Sequence, residues 1–249
     1  MKKPLGKIYR TLLLAALFIA GIMVERIGLI TYLTDPYEYP IILGLLLRHL
    51  YLVAVSISFA TIIGLAAGIF FTRRRFHRYA GVCMYIIGLG QTIPSLAILA
   101  LSMSFLGIGT KPAIFALTIY SILPIARNTL AGISAVPPSL LDAGKGMGMT
   151  PLRILLEIEL PNSMQVILAG FRVALIVNIG TAALSYLIGA GGLGDLIFTG
   201  ISLMQTEKLL AGAIPVTLMA LLADLVCKLL ELILISKGLR LTEQNKEAA

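Results

Sequence analysis

Long apolar runs, separated by short polar connections, dominate this chain. Runs long enough to cross a bilayer, which takes about 20 apolar residues, occur near 9–25, 50–71, 83–106, 112–133, 165–189 and 209–235. Lipid cannot satisfy open backbone hydrogen-bonding groups, so helices are the expected element, and the alternating pattern of a membrane barrel is missing. The pattern therefore predicts an all-α, polytopic membrane protein with about six transmembrane helices.

Glycine, proline and polar residues interrupt two of these runs. The break in the third run contains Gln91, Thr92 and Pro94. Irregular backbone at this depth is tolerated where it is buried in protein or lines a cavity, so these residues are candidates for a substrate pathway. A proline kink accommodated by packing is the alternative. The fifth run ends in a small-residue turn, where Gly191 and Gly192 form either a gate hinge or a close helix contact.

Ionisable and amide side chains within the predicted spans are few. Arg172 and Asn178 in the fifth run either face a cavity, which makes Asn178 a further pathway candidate, or hydrogen-bond a neighbouring helix. Asp224, Lys228 and Glu231 in the last run are spaced for pairing within one helix, and a proton relay is the alternative.

The residue types that carry catalysis or bind metal do not form a set. His49 and His77 flank spans on opposite predicted sides, which suits interfacial histidines and prevents a shared metal ion or a triad. Cys83 and Cys227 lie inside predicted spans and are expected to be packing thiols. The sequence contains no GxxxxGK[ST] nucleotide-binding loop. We therefore expect no catalytic residue, no metal and no cofactor, and thus not an enzyme.

A polar island at residues 142–161 contrasts with the apolar chain around it. Ser139 is placed to cap a short helix that Gly148 then breaks. Thr150 and Pro151 form the cap and first turn of a second helix, and Pro161 is expected to end it. The segment is therefore predicted to fold as a helix, a glycine turn and a second helix.

The spacing within this island resembles the EAA loop of permease subunits in binding-protein-dependent ABC importers. Asp142 and Gly144 replace the first Glu and the second Ala of that pattern. The resemblance implies that the loop couples the permease to a cytosolic ATPase. The coupling residues would be Leu141, Asp142, Ala143, Gly144, Lys145, Gly146, Met147, Gly148, Ile158, Leu160 and Pro161.

The likeness extends over nearly half of the chain, from Gly88 to Gly200. Segments such as GQTIPSLAILAL, YSILPIARNT and LIGAGGLGDLIF are similar to permeases of the osmoprotectant group, which import glycine betaine, carnitine or choline. This resemblance implies a second permease copy or a paralogue, cytosolic ABC ATPase subunits that hydrolyse ATP, and an external solute-binding protein. An importer of another small solute, such as methionine or a sulfonate, is the alternative, followed by an ion-coupled secondary carrier.

Composition and charge agree with a membrane location. Hydrophobic residues make up 58% of the chain and charged residues 13%. Basic residues favour the cytoplasmic side and attract anionic lipid, and they cluster before the first predicted span and after the second. These clusters are Lys2, Lys3, Lys7 and Arg10, and Arg73, Arg74, Arg75 and Arg78. The distribution predicts a multi-pass membrane protein with both termini and the polar island in the cytosol. The family resemblance implies that the membrane is the bacterial inner membrane. The net charge of +8 does not indicate nucleic-acid binding, because the basic residues are not interleaved with aromatic residues as in a nucleic-acid-binding domain.

Three regions are expected along the chain. Residues 1–40 hold a first transmembrane helix and an external loop, residues 41–240 hold the permease transmembrane domain of a type I importer, and residues 241–249 form a cytosolic tail.

Overall fold

The chain folds into helices throughout the part that the structure describes. The computed structural model covers residues 25–73 and 76–234, without the side-chain environments at positions 77, 83, 87, 90 and 91. A π-helical turn, Leu155–Glu159, and a 3-10 segment, Ala183–Ile188, adjoin ten α-helices in these ranges. The α-helices are α1 (Leu29–Thr34), α2 (Glu38–Thr72), α3 (His77–Thr92), α4 (Ser95–Leu106), α5 (Thr110–Ser134), α6 (Pro138–Gly146), α7 (Pro151–Ile154), α8 (Leu160–Ala182), α9 (Gly194–Ser202) and α10 (Thr206–Leu234).

Four helical stretches within the described residues are long and apolar enough to cross a membrane. They are α2, α5, the continuous helix Pro151–Ile188 and α10. They correspond to the second, fourth, fifth and sixth predicted runs. The first run, 9–25, and the tail, 241–249, lie outside the described residues. The third run is divided at Ile93 and Pro94 into α3 and α4, as its glycine and proline content predicted.

Helix α2 begins well before the apolar run that predicted it. The Asp35 carboxylate accepts hydrogen bonds from the backbone N–H of Tyr37 at 2.8 Å and of Glu38 at 3.3 Å, and so satisfies donors at the start of the helix. Residue 49 therefore lies inside a 35-residue helix. The prediction of an interfacial His49 is wrong, because its side chain is fully buried and its Nε2 lies 3.0 Å from the Ile179 carbonyl of α8.

Small residues bring α2, α5 and α8 close together at the centre of the bundle. A Cβ atom added to Gly64 would lie 2.9 Å from Ile125, and one added to Gly68 would lie 2.4 Å from Thr129, so α2 packs directly on α5. Gly170 of α8 meets α5 in the same way. Lipid supplies no hydrophobic drive for helix association, so close backbone packing of this kind is a principal source of stability.

Short helix α1 is attached to the start of α2. The Tyr32 hydroxyl donates a hydrogen bond to Glu38 Oε2 at 2.9 Å. Burial, followed by this hydrogen bond and the charge of Glu38, raises the pKa of Tyr32 above its ordinary value. The phenol therefore stays protonated and able to donate at physiological pH.

Candidate functional site

The polar island folds as two helices joined by a glycine turn, as predicted. Helix α6 ends at Gly146, and Gly148 has a φ of +75°, in the left-handed region that favours glycine. The N–H of Gly148 donates to the Lys145 carbonyl at 2.9 Å, and that of Met149 donates to Gly144 at 3.0 Å. These bonds satisfy carbonyl groups at the end of α6 and reverse the chain direction within a few residues.

Two predictions about where these helices begin and end are wrong. Pro137 precedes the helix and Pro138 opens it, so Ser139 lies inside α6 and is not its cap. Thr150 does cap α7, because its side chain accepts a hydrogen bond from the Arg153 N–H at 3.3 Å. Pro161 does not end the second helix: the π turn directly before it accommodates a residue without an N–H, and the helix runs on to Ile188.

The two arms of this unit pack against each other at Gly144. A Cβ atom there would lie 2.6 Å from Ile158 Cδ1, so the glycine allows the Ile158 side chain to rest on α6. Ile154 is buried at the same junction. Gly144 and Ile158, which the resemblance singled out, therefore meet in space, and this contact holds α6 against the long helix. Leu160 is half-buried and Pro161 is exposed further along that helix.

The outer face of α6 combines apolar and charged groups. Leu140, Ala143 and Met147 follow helical spacing and are exposed, with Met147 at 74%. Asp142 and Lys145 are exposed beside them and form an ion pair at 2.8 Å. An apolar stripe with a charged margin on a helix at the end of the bundle is typical of a protein contact surface.

The glycine turn predicted to be either a gate hinge or a close helix contact lies at the opposite end of the Pro151–Ile188 helix. Gly191 and Gly192 have φ angles of +76° and +96°, and Gly192 packs on His49. Arg48 Nε donates to the Ala190 carbonyl at 3.0 Å, and a second guanidinium nitrogen donates to the Thr110 hydroxyl. The turn is thus connected to both α2 and α5. Arg48 had no predicted role, although its place beside His49 at a run boundary is a usable signal.

Asn178 lies at the meeting point of α2, α5 and α8. Its Oδ1 lies 3.1 Å from the Ser56 hydroxyl, and its Nδ2 donates to the Ser121 hydroxyl at 2.8 Å. The side chain is 1% exposed. The hydrogen bond to neighbouring helices, one of the two predicted alternatives, is present. A role of Asn178 in the pathway stays a prediction and would require these helices to separate.

Two recesses flank Arg127 on α5. One has a volume of about 440 Å³ and includes Thr92 at the end of α3; the other, of about 390 Å³, lies against α8, and Leu123 and Arg127 line both. Thr92 is exposed and its hydroxyl donates to the Leu89 carbonyl at 2.7 Å. Pro94 is exposed directly before α4, and the side chain of Gln91 lies outside the described part.

Charged side chains join further helices. Arg172 of α8 pairs with Asp224 of α10, and Lys228 approaches the same carboxylate at 3.1 Å. The predicted pairing of Asp224 with Lys228 is therefore confirmed. Arg73 at the end of α2 pairs with Glu159 at 2.5 Å. Arg73 was expected only to mark the cytoplasmic side of the membrane, and Glu159 had no predicted role.

Comparison with known proteins identifies relatives over most of the chain. It is 45% identical over 224 residues to the osmoprotectant import permease protein OsmY of Salmonella typhimurium, covering 90% of this chain and 92% of the relative. It is 41% identical to the carnitine transport permease protein OpuCB of Listeria monocytogenes, covering 80% and 91%. It is 42% identical to the choline transport system permease protein OpuBB of Bacillus subtilis, covering 78% and 88%.

Solved structures share the fold. The methionine ABC transporter MetNI in an inward-facing conformation has a TM-score of 0.64 at 24% identity, covering 78% of this chain and 98% of the other. An amino acid ABC transporter with histidines has a TM-score of 0.66 at 23% identity, covering 80% and 97%. Residues 60–234 match the family described as binding-protein-dependent transport system inner membrane component. This chain belongs to that family of membrane transport proteins.

Proposed function

We propose that this chain is the permease subunit of an ATP-driven importer and forms the translocation path for a quaternary-amine osmoprotectant such as glycine betaine, carnitine or choline. The observation that carries the proposal is the 45% identity with an osmoprotectant import permease over 90% of the chain. Relatives named for carnitine and choline transport, at 41% and 42% identity, support the same class of solute.

The outer face of α6 is the proposed contact with the ATPase. Its exposed Leu140, Ala143 and Met147 supply apolar area, and the Asp142–Lys145 pair supplies a polar margin. Gly148 sets the angle between α6 and the helix that begins at Pro151. ATP hydrolysis belongs to separate cytosolic subunits in this proposal.

The Pro151–Ile188 helix provides the mechanical connection. Its 38 residues span about 57 Å, and they join the α6 contact to the glycine turn at Gly191 and Gly192. When ATP closes the ATPase dimer, the α6 units of two permeases move together, and the rigid helices carry that movement to the external turn. The central cavity then alternates between outward and inward openings. A loaded binding protein shifts this equilibrium only by binding one state more tightly.

The proposed assembly has two permeases, either two copies or a copy with a paralogue, two ATPase subunits and an external binding protein. The chain would lie in the bacterial inner membrane with about six spans and both termini in the cytosol. Residues 1–40, 41–240 and 241–249 would be the first helix with its loop, the permease domain and the tail.

Two alternatives are weaker. An importer of methionine or a sulfonate would share the fold, but the relatives at 41–45% identity carry osmoprotectant, carnitine and choline names. An ion-coupled carrier would need a carboxylate available to a coupling ion. Asp224 was its best support, and that carboxylate already pairs with Arg172 and Lys228.

The test is uptake of radiolabelled glycine betaine into proteoliposomes that contain this chain with its ATPase and binding protein, comparing Gly148→Val with Gly107→Val. Both glycines have positive φ and open space around a Cβ position, so a valine strains the backbone without a clash in each variant. Gly107, with a ψ of −164°, lies in a region that only glycine adopts readily, so Gly107→Val also serves as a strained control. Gly107 and Gly148 lie beyond opposite ends of the 25-residue helix α5.

We expect uptake by the wild type to require ATP and binding protein. Gly148→Val should lower the solute moved per ATP at least severalfold, whereas Gly107→Val should leave that ratio unchanged. Uptake that follows an ion gradient without ATP would overturn the importer. Equal losses in both variants would overturn the coupling role of Gly148.

A further inference from the structure

The recess between α5 and α8 has the lining of a site for a small charged molecule. Tyr120, Pro124, Arg127 and Asn128 of α5 face Val173 and Val177 of α8 around about 390 Å³. Small-molecule sites occupy about 300–1,000 Å³ and combine apolar walls with a few polar groups. The Asn128 side chain is half-buried against Gly170, which brings α8 close and closes one side of the recess.

Arg127 places a permanent positive charge in a membrane-spanning helix. Such residues are costly in lipid and generally face the interior of a bundle or a water-filled cavity. Arg127 lines both recesses described above, and no ion pair among the described residues involves it. A planar guanidinium binds a carboxylate through two parallel hydrogen bonds. The charge is therefore available to an anionic group that enters the recess.

The other end of the recess suits a cation. Pro124 has no N–H to donate to the Tyr120 carbonyl four residues earlier, so this carbonyl loses its usual helical donor. The Asn128 Nδ2 donates to the carbonyl of Pro124, at 2.8 Å, and not to that of Tyr120. A carbonyl dipole and the ring of Tyr120 both attract a quaternary ammonium group, the ring through cation–π attraction.

The two ends are separated by a distance that a small zwitterion can bridge. Tyr120 and Arg127 are seven residues apart, which is about 10 Å along the helix axis. Helical side chains tilt toward the N-terminus, so the long Arg127 side chain shortens that distance.

The geometry points to a solute site in this recess that prefers quaternary amines with a carboxylate, such as glycine betaine and carnitine, over choline. Arg127 is its specificity-determining residue. Choline has the same trimethylammonium head as glycine betaine but a neutral hydroxymethyl group in place of the carboxylate, so it would leave the Arg127 charge unbalanced. The inference rests on the proposed function, because a solute site is needed only if this chain forms the translocation path. It adds that the permease itself selects among solutes, a task that the binding protein would otherwise perform alone.

Direct binding can be measured because the 249-residue chain contains no tryptophan. Tyr120→Trp places a single fluorophore in the recess and keeps an aromatic face. We expect glycine betaine to change its fluorescence in the purified full-length chain at lower concentration than choline does. Adding Arg127→Gln should weaken the betaine response about tenfold to a hundredfold, the effect of losing a charge-assisted hydrogen bond, and should not weaken the choline response, because choline has no carboxylate for Arg127 to bind. Equal responses to both solutes, or no effect of Arg127→Gln, would overturn the inference.

Uptake by the complete transporter provides the second readout, with each solute at saturating concentration for the binding protein. Arg127→Gln should lower the ratio of betaine to choline transport, and Arg127→Lys should restore part of it. Lys111→Gln removes a cation from the same helix outside this recess and should leave the ratio unchanged. If ATP-driven uptake persists with an unchanged ratio, this inference fails and the importer stands. If the wild type moves neither solute, the proposed function itself fails.

Discussion

At the scale of a single residue, Glu159 shows how one side chain connects the polar island to the rest of the bundle. It is 9% exposed overall and accepts a hydrogen bond from Arg73 at 2.5 Å. Arg73 directly follows the last residue of α2 and also donates to the Thr72 hydroxyl, at 2.8 Å. The pair therefore ties the end of α2 to the π turn. Arg153 and Glu157 form a nearby ion pair on the same long helix, and both of these side chains are exposed.

This contrast predicts different costs for removing two similar arginines. Arg73→Gln leaves a buried carboxylate without its cation and should lower the free energy of unfolding by about 1–3 kcal/mol. Arg153→Gln breaks an exposed pair and should cost at most about 1 kcal/mol, because solvent screens its charges. Unfolding of the two purified variants in one detergent, followed by circular dichroism, compares them. If Arg153→Gln lowered the free energy of unfolding as much as Arg73→Gln does, the assignment of Glu159 as a buried partner would be contradicted.

At the scale of helices, the contact between α2 and α5 depends on the absence of side chains. Gly64 and Gly68 lie one turn apart on α2, and both would place a Cβ atom against α5 closer than normal contact allows. The neighbouring atoms at Gly68 belong to the β-branched Thr129 and to the Ala126 carbonyl, which cannot move aside as the end of a flexible chain can. Gly44, on the same helix, has open space around its Cβ position.

Substitution by leucine should therefore have different effects on stability at Gly68 and at Gly44 of α2. Gly68→Leu forces α2 away from α5 and should lower the free energy of unfolding by about 1–3 kcal/mol or prevent folding. Gly44→Leu adds the same side chain without a clash and should leave stability near that of the wild type. Thermal unfolding and the yield of monodisperse protein in detergent measure both effects. Tolerance of Gly68→Leu, with wild-type stability, would show that the α2–α5 contact is looser than described.

At the scale of the whole molecule, the helix Pro151–Ile188 separates two exposed connections. Met147 follows α6 at one end of it and is 74% exposed, and Met204 lies in the turn between α9 and α10, beyond its other end, and is 93% exposed. The basic clusters of the sequence predict that the first connection is cytosolic and the second external. The orientation of the termini follows from the same assignment.

Cysteine labelling tests this orientation in a variant that carries Cys83→Ala and Cys227→Ala and is produced without the ATPase, which is proposed to cover Met147. In intact cells, a membrane-impermeant maleimide should label Met204→Cys and should label Met147→Cys only after the inner membrane is permeabilised. Permeabilised cells, in which both positions must react, provide the control for reactivity. Labelling of Met147→Cys in intact cells with protection of Met204→Cys would reverse the predicted topology.

The sequence by itself determined the features that depend on local chemistry. Apolar length predicted the spans at α2, α5 and α10, because burial in lipid needs only enough apolar residues. The glycine at 148 and the cap at Thr150 predicted the turn of the polar island, since both act within a few residues. The break around Pro94 was predictable for the same reason.

The tertiary structure decided which distant residues meet. His49 was expected at an interface and is buried instead, because Asp35 starts α2 early and Ile179 lies opposite it. Pro161 was expected to end a helix that in fact continues through a π turn. Contacts such as Arg73 with Glu159 and Arg172 with Asp224 join residues 86 and 52 positions apart. Local pattern carries no information on such pairs, since they exist only when packed helices bring the two side chains together.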